Sequence, residues 1–300
     1  MIPLRDMDTI QIEITNHCDH RCSNCTRLVG HHEQPYFMDF EKFKEAVDSL
    51  IGYVEQETNH ATLIGIMGGE PLLHPEFEKF SLYLHDRISP INCGLWTGLP
   101  VAKKEYNELI CKVYGNIFLN DHTRIDVLHH PIMITGKSLG LNPYERDYFY
   151  HNCWVQNCWS AAINPAGAYF CEVAGALDLL FNNGSSAWEV DSDWWKKSPQ
   201  KYLDQLTLCE YCGCSFPLVK RQSIDGKDDV SKDLIEKLLL LNSPKIDKCI
   251  EYQDGLIKDF RPTATYKDEQ YRRKIADKYD MFLVNNYSGF QTPRMKVIGR

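Results

Sequence analysis

Short apolar runs alternate with amphipathic stretches along the first half of the chain. "DTIQIEIT" (Asp8–Thr15) sets Ile10, Ile12 and Ile14 against polar neighbours, the period of two that predicts a strand. Asp39 can cap a helix in which Phe40, Phe43, Val47, Leu50 and Ile51 recur at helical spacing. "ATLIGIMGG" (Ala61–Gly69) is a continuous apolar run, as expected of a parallel strand buried on both faces. "HPEFEKFSLYLHDR" follows as a helix with Pro75 near its first turn. "INCGLWTG" (Ile91–Gly98) reads as a strand, "KKEYNELICKVYG" (Lys103–Gly115) as a helix and "NIFLN" (Asn116–Asn120) as a strand, with a further strand region at "IDVLHHPIMIT" (Ile125–Thr135). Strands alternating with helices predict βα units around a parallel sheet. About four such units precede residue 121, the order of an incomplete TIM-like barrel. In such barrels the chemistry sits on loops at the C-terminal ends of the strands.

The pattern changes after residue 150. "CWVQNCWSAAINPAGAYFCE" (Cys153–Glu172) holds two short β-like runs around the turn "NPAG", which predicts a hairpin flanked by thiols. A loop-rich stretch with "NNGSS" leads to "LCEYCGC" (Leu208–Cys214), and "DDVSKDLIEKLLLL" (Asp228–Leu241) reads as a helix. The last sixty residues are charged and aromatic with little periodicity, and "YKDEQYRRK" within them acquires no role. The expected organisation is a barrel core over 1–150, a small cysteine-rich α+β module over 151–225 and a C-terminal extension over 226–300.

Composition is that of a globular protein, 43% hydrophobic and 25% charged. The formal charge of −8 argues against a nucleic-acid partner, which leaves a basic footprint, and tolerates a cationic small molecule. No apolar run is long enough to span a membrane, and the N-terminus lacks the apolar region of a signal peptide, so a cytoplasmic protein is expected. Twelve cysteines are many for that compartment, where grouped thiols are more often metal ligands than disulfides. Nine fall in three groups: 18/22/25, 153/158/171 and 209/212/214.

The first group lies in "TNHCDHRCSNCTR" (Thr15–Arg27), spaced C-x3-C-x2-C directly after the first strand. A structural zinc site wants four tetrahedral ligands, and neither a fourth thiol nor His17, His20 or His31 restores a zinc pattern here. A [4Fe–4S] cubane held by three thiolates leaves one iron open to substrate. This spacing, in the loop after the first strand of a βα barrel, resembles the radical S-adenosylmethionine superfamily over roughly residues 8–135. "MGGEPLLHPEF" (Met67–Phe77) is similar to that family's glycine-rich loop after the second strand.

The resemblance implies a partial (β/α)6 barrel, a [4Fe–4S] cluster on Cys18, Cys22 and Cys25, and S-adenosylmethionine bound to its open iron. Gly68 and Gly69 would admit the methionyl amino group, Glu70 would help hold it, and Thr97 in "GLWTGLP" would sit near the ribose. Reductive cleavage of the sulfonium would give a 5′-deoxyadenosyl radical that abstracts hydrogen from a C–H bond, fed by a reductant such as flavodoxin or ferredoxin. One departure is Asn24, which stands where relatives often carry an aromatic against the adenine.

The later cysteines resemble the auxiliary-cluster modules called SPASM and, in shortened form, twitch. "INPAGAYFC" is similar to that family's hairpin element. Six thiols rather than seven imply one auxiliary [4Fe–4S] cluster on Cys153, Cys171, Cys209 and Cys212, with Cys158 and Cys214 in reserve. A zinc knuckle is the competing reading. Trp154, Trp159 and Tyr211 are expected to shield the cluster from water.

Cys249 is a candidate hydrogen-atom donor for an epimerase, or an ordinary packed thiol. Cys93 is a weaker candidate, and Cys111 is expected to be packing. Asp121, His122, His129 and His130 stand near strand ends, where they could bind substrate or cap loops. The first strand begins near residue 9, so no leader-peptide domain is expected ahead of it. That favours a sugar, aminocyclitol or similar polar metabolite as substrate over a ribosomal peptide, with epimerisation and dehydrogenation both open. A scaffold that binds metal without catalysis is the non-enzymatic alternative.

Overall fold

Strand β1 (Thr9–Thr15) is buried along its whole length, and its two faces account for its alternating sequence. Ile10, Ile12 and Ile14 join the main core with Phe43, Val47 and Leu50. The intervening Gln11, Glu13 and Thr15 point the other way, as successive side chains on a strand must. These are buried too, so the alternation separates two interiors rather than an inside from an outside. The computed structural model describes residues 1–58, 62–158 and 160–257 and the backbone of 294–298. Trp159, the side chain of Cys158 and "YKDEQYRRK" lie outside the described residues.

After the cysteine-bearing loop comes α1 (Phe40–Ser49), whose first turn is capped by Asp39 accepting from the Lys42 amide at 2.9 Å. Then follow α2 (Ile51–Glu55), β2 (Leu63–Gly68), α3 (Phe77–Arg87), β3 (Cys93–Thr97), α4 (Asn107–Val113) and β4 (Asn116–Asn120). Strands β1 to β4 pair in parallel in sequence order, as the alternation of patterns predicts. The run at 125–135 behaves differently. Only a two-residue strand β5 (Leu128–His129) forms, antiparallel to Arg221–Gln222 and outside the main sheet. Pro131 interrupts the run and cannot donate to a ladder, so Ile132, Met133 and Ile134 are buried without belonging to a strand.

Beyond α5 (Pro143–His151) and α6 (Trp154–Cys158), the expected hairpin forms from β6 (Ser160–Asn164) and β7 (Gly167–Tyr169), and α7 (Glu172–Phe181) follows. β6 also pairs in parallel with β1, from Thr9 opposite Ser160 to Ile12 opposite Ile163. The hairpin therefore extends the barrel sheet and carries its flanking thiols with it. The chain continues through β8 (Arg221–Gln222), β9 (Asp228–Val230), α8 (Lys232–Leu240), β10 (Cys249–Glu251) and β11 (Arg294–Ile298). The helix expected from Asp228 starts only at Lys232, because Asp228–Val230 pairs with β10 as a short strand.

The resulting seven-stranded sheet has the order β11-β4-β3-β2-β1-β6-β7, parallel except for β7. This is the α/β architecture of a partial TIM-like barrel. Among the described residues no helix is long and apolar enough to cross a membrane.

An aromatic pair lies on the inner face of the sheet: Trp96 stacks on Phe118 with centroids 4.0 Å apart, joined by Leu63 and Met67. The indole packs against Gly65 and Gly94, where an added Cβ would come within 2.5 and 2.7 Å of its ring. Gly94→Ala is therefore expected to cost about 1–3 kcal/mol through overpacking. The measurement is the urea unfolding midpoint, and an unchanged midpoint refutes the packing described.

Candidate active site

A cavity of about 190 Å3 opens at the C-terminal ends of the central strands. Cys18, Cys22 and Cys25 line it together with Gly68, Gly69, Glu70 and Thr97. All the residues nominated for the first cluster and its cofactor thus face one space. The register of β1 on β2 brings this about. Thr15 sits opposite Gly68, the Gly69 amide donates to the Thr15 carbonyl at 2.8 Å, and the Glu70 amide donates to that of His17 at 2.7 Å. A Cβ on Gly69 would lie 2.4 Å from the His17 carbonyl oxygen and 2.8 Å from Cys18 Cβ. Glycine is what lets the two loops touch.

Glu70 joins this loop to the end of β3. Its Oε1 accepts from the Thr97 hydroxyl at 2.6 Å and the Leu72 amide at 3.1 Å, and its Oε2 accepts from the Gly98 amide at 2.8 Å. Burial pushes its carboxyl above the usual range, and these three donors offset that only in part. Thr97 lines the cavity, but its hydroxyl proton is committed to Glu70.

The cysteine loop is fastened from far along the chain. Asn24 takes a left-handed conformation (φ 48°), which asparagine tolerates. Its amide side chain exchanges two hydrogen bonds with Asp229, donating to Oδ2 at 2.9 Å and accepting from the Asp229 amide at 2.8 Å. Its own backbone amide donates to Asp228 Oδ1 at 2.5 Å. Arg221 grips Asp229 with two bonds at 2.7 and 2.9 Å. Asp228 Oδ2 meets His31 Nε2 and Lys245 Nζ, each at 2.8 Å. Burial opposes the charge on Asp228, but these partners hold its carboxyl below the usual range. None of Asp228, Asp229, Lys245 or His31 was nominated from the sequence. The one signal available was Asn24, out of place against the family pattern.

Below the cysteines, buried Arg27 bridges Glu13 at 2.8 Å and Glu172 at 3.2 Å, and Tyr36 donates to the other oxygen of Glu13. Burial works against the Arg27 charge, and the two carboxylates keep it. Arg27 and Glu172 both line the cavity.

At the cavity mouth, His129 Nδ1 lies 2.6 Å from the Ser23 carbonyl oxygen, which can only accept, so Nδ1 carries the proton. Burial lowers the His129 pKa and keeps the ring neutral, leaving Nε2 to accept from His122 Nδ1 at 3.1 Å. Burial, with His129 and His20 adjacent, pushes His122 down to about 3. His122 is thus neutral with a bare Nε2, a fixed acceptor for a hydroxyl or ammonium. The other two nominees serve structure. Asp121 accepts from Thr123, and His130 Nε2 lies 3.0 Å from the Gly213 carbonyl oxygen, to which it donates.

In the second cysteine set, buried Cys171 and Cys214 and half-buried Cys153, Cys209 and Cys212 form one group, close enough to perturb one another's ionisation. Cys214 lines the cavity, as does Trp154, whose indole donates to the Cys214 carbonyl at 2.9 Å. Tyr211 packs instead on Phe181, with Lys237 over its ring. Cys249 is not among the cavity-lining residues, and its thiol donates to the Lys245 carbonyl at 3.6 Å. Cys93 is buried with its thiol toward the Ser89 carbonyl, and Cys111 is exposed.

Among the described residues no three His, Cys, Asp or Glu side chains are grouped as a single metal ion requires. A cubane carries each thiolate on a separate iron, so its donors stand further apart than those of one tetrahedral ion. Three thiols of one loop around a cavity, beside a glycine pair that a side chain would obstruct, are a donor set that fits an iron–sulfur cluster with an open iron.

No protein-family model matches the chain, and no curated protein does. Solved structures similar to it include two crystal structures of BtrN. One is BtrN in complex with AdoMet and 2-DOIA, at 16% identity, covering 69% of this chain and 93% of that one, with a TM-score of 0.45. The other is selenomethionine BtrN in an open conformation, at 17% identity, covering 68% and 86%, with a TM-score of 0.43.

The tautomer chain is directly observable. Nitrogen-15 spectra of histidine-labelled protein are expected to show His122 protonated on Nδ1 alone from pH 5 to 8, with His129→Phe abolishing that preference. Titration of His122 near its ordinary value of about 6.5 overturns the assignment.

Proposed function

We propose that the chain is a radical S-adenosylmethionine enzyme that oxidises a hydroxyl-bearing polar metabolite such as a sugar, aminosugar or aminocyclitol. The observation that carries this reading is the single cavity shared by Cys18, Cys22, Cys25, Gly68, Gly69 and Glu70 at the ends of parallel strands. The three thiols would hold the open cluster, Gly68 to Glu70 the methionyl end of the cofactor, and Cys153, Cys171, Cys209 and Cys212 an auxiliary cluster. When bound, these groups supply the one-electron chemistry that takes a hydrogen atom from a substrate carbon and then accepts an electron. Electrons would come from a flavodoxin- or ferredoxin-like donor.

The chain's own residues do the rest. Thr97 and the Gly98 and Leu72 amides hold Glu70 in one orientation, so the carboxylate is fixed before any ligand arrives. Trp96, backed by Phe118, presents an apolar surface toward the cavity that keeps water from competing. His122 Nε2 accepts a hydrogen bond from the substrate hydroxyl and orients it, and with so low a pKa it passes the proton on to water as the carbon–oxygen double bond forms.

Oxidation is favoured over epimerisation because Cys214 and Trp154 bring the second cysteine set to the cavity wall, whereas Cys249 is turned to the Lys245 carbonyl.

Two measurements test this. Anaerobically reconstituted, reduced protein is expected to convert S-adenosylmethionine to methionine and 5′-deoxyadenosine, and Cys25→Ala to lower that rate at least a hundredfold. No deoxyadenosine from the wild-type protein sinks the proposal. With a panel of aminocyclitols and aminosugars in D2O, the product is expected to be two mass units lighter and free of solvent deuterium, with Cys249→Ala unaffected. Deuterium at an inverted carbon, lost in Cys249→Ala, establishes the epimerase instead.

A further inference from the structure

Behind the cysteine loop, away from the substrate cavity, a lysine is buried against the loop backbone. Lys245 is 6% exposed, and its ammonium donates to the Cys22 carbonyl oxygen at 2.9 Å while pairing with Asp228 Oδ2 at 2.8 Å. Its stem lies along Gly30, where an added Cβ would come within 3.2 Å of Lys245 Cδ. His31 contacts the same Asp228 oxygen, and its Nδ1 lies 2.9 Å from the Ser243 hydroxyl, so both ring nitrogens are engaged.

We propose that Lys245, opposed by Asp228, sets the reduction potential of the cluster held by Cys18, Cys22 and Cys25. This rests on reading those three thiols as cluster ligands. Reduction adds one negative charge to the cluster. A cation held nearby in a poorly solvated interior stabilises the reduced form, and an anion destabilises it. Lys245 bonds directly to a ligand residue, whereas Asp228 reaches the loop one residue short of a ligand, at the Asn24 amide. The two charges therefore act on the cluster with opposite signs, the lysine from the closer contact. A tie that served only to hold the loop would alter stability without this opposition of sign.

The experiment uses the full chain, reconstituted anaerobically and titrated with redox mediators, following the reduced-cluster electron paramagnetic resonance signal that changes when S-adenosylmethionine is added. That change separates the open cluster from an auxiliary one. In Lys245→Met the reduction equilibrium is expected to fall at least tenfold, about 59 mV more negative for one electron. Asp228→Asn is expected to move it the other way, and Lys245→Arg to stay within threefold of the wild type. Asp228→Asn keeps an oxygen for the Asn24 amide, so its shift decides the matter even where Lys245→Met fails to fold. Unchanged potentials in Asp228→Asn and Lys245→Met, or shifts of the same sign, overturn the inference while leaving the proposed function intact. A wild-type protein whose signal is indifferent to S-adenosylmethionine overturns both.

Discussion

Two adjacent carboxylates, Asp228 and Asp229, keep the cysteine loop in shape, and the site depends on that. A loop that turns three thiols toward one cavity cannot satisfy its own backbone donors by regular pairing, and buried donors without partners are expensive. Here the Asn24 amide finds Asp228, and the Asn24 side chain finds Asp229. The carboxylates are themselves matched by Arg221, Lys245 and His31. Buried ionic clusters of this kind contribute little net stability compared with well-packed apolar groups. Removing one member costs roughly 3–5 kcal/mol, so they enforce one arrangement over others.

The remaining parts of the site follow from strand pairing. The β1–β2 register sets the glycine pair against Cys18, and Glu70 carries that alignment across to the end of β3 through Thr97 and Gly98. On the other side, β6 pairs with β1 and its hairpin leads through β7 to Cys171, so both cysteine sets hang from one sheet. Arg27 spans the same gap, linking Glu13 of β1 to Glu172 of α7.

Periodicity revealed β1 to β4 and their helices because those segments bury one consistent face or two. Spacing singled out Cys18, Cys22, Cys25 and the Gly68–Glu70 loop, which the structure brings to one cavity, because residue type and separation within each loop are local features of the sequence. The second cysteine set was legible as a group, but not as part of the barrel sheet, since a hairpin pattern carries no information about which strand lies beside it. The apolar run ending at Ile134 misled because a buried segment with a single bridge, Met133 to Val230, has the same composition as a strand. Asp228, Asp229 and Lys245 were invisible because a charged residue reads as solvent-facing until its partner, some two hundred positions away, is placed beside it.

That separation also orders events during synthesis. Asn24 meets Asp229 across 205 residues, and Cys22 meets Lys245 across 223. While the ribosome is still making the barrel, the cysteine loop has neither its clasp nor its buried cation, and its thiols stand on an untethered segment. Closing such a loop costs little more entropy than closing one half as long, so the delay is one of timing rather than of stability. The three thiols of the loop therefore wait for partners that are made some two hundred residues later. Residues 221–245 thus decide when the loop of residues 15–27 takes its final shape.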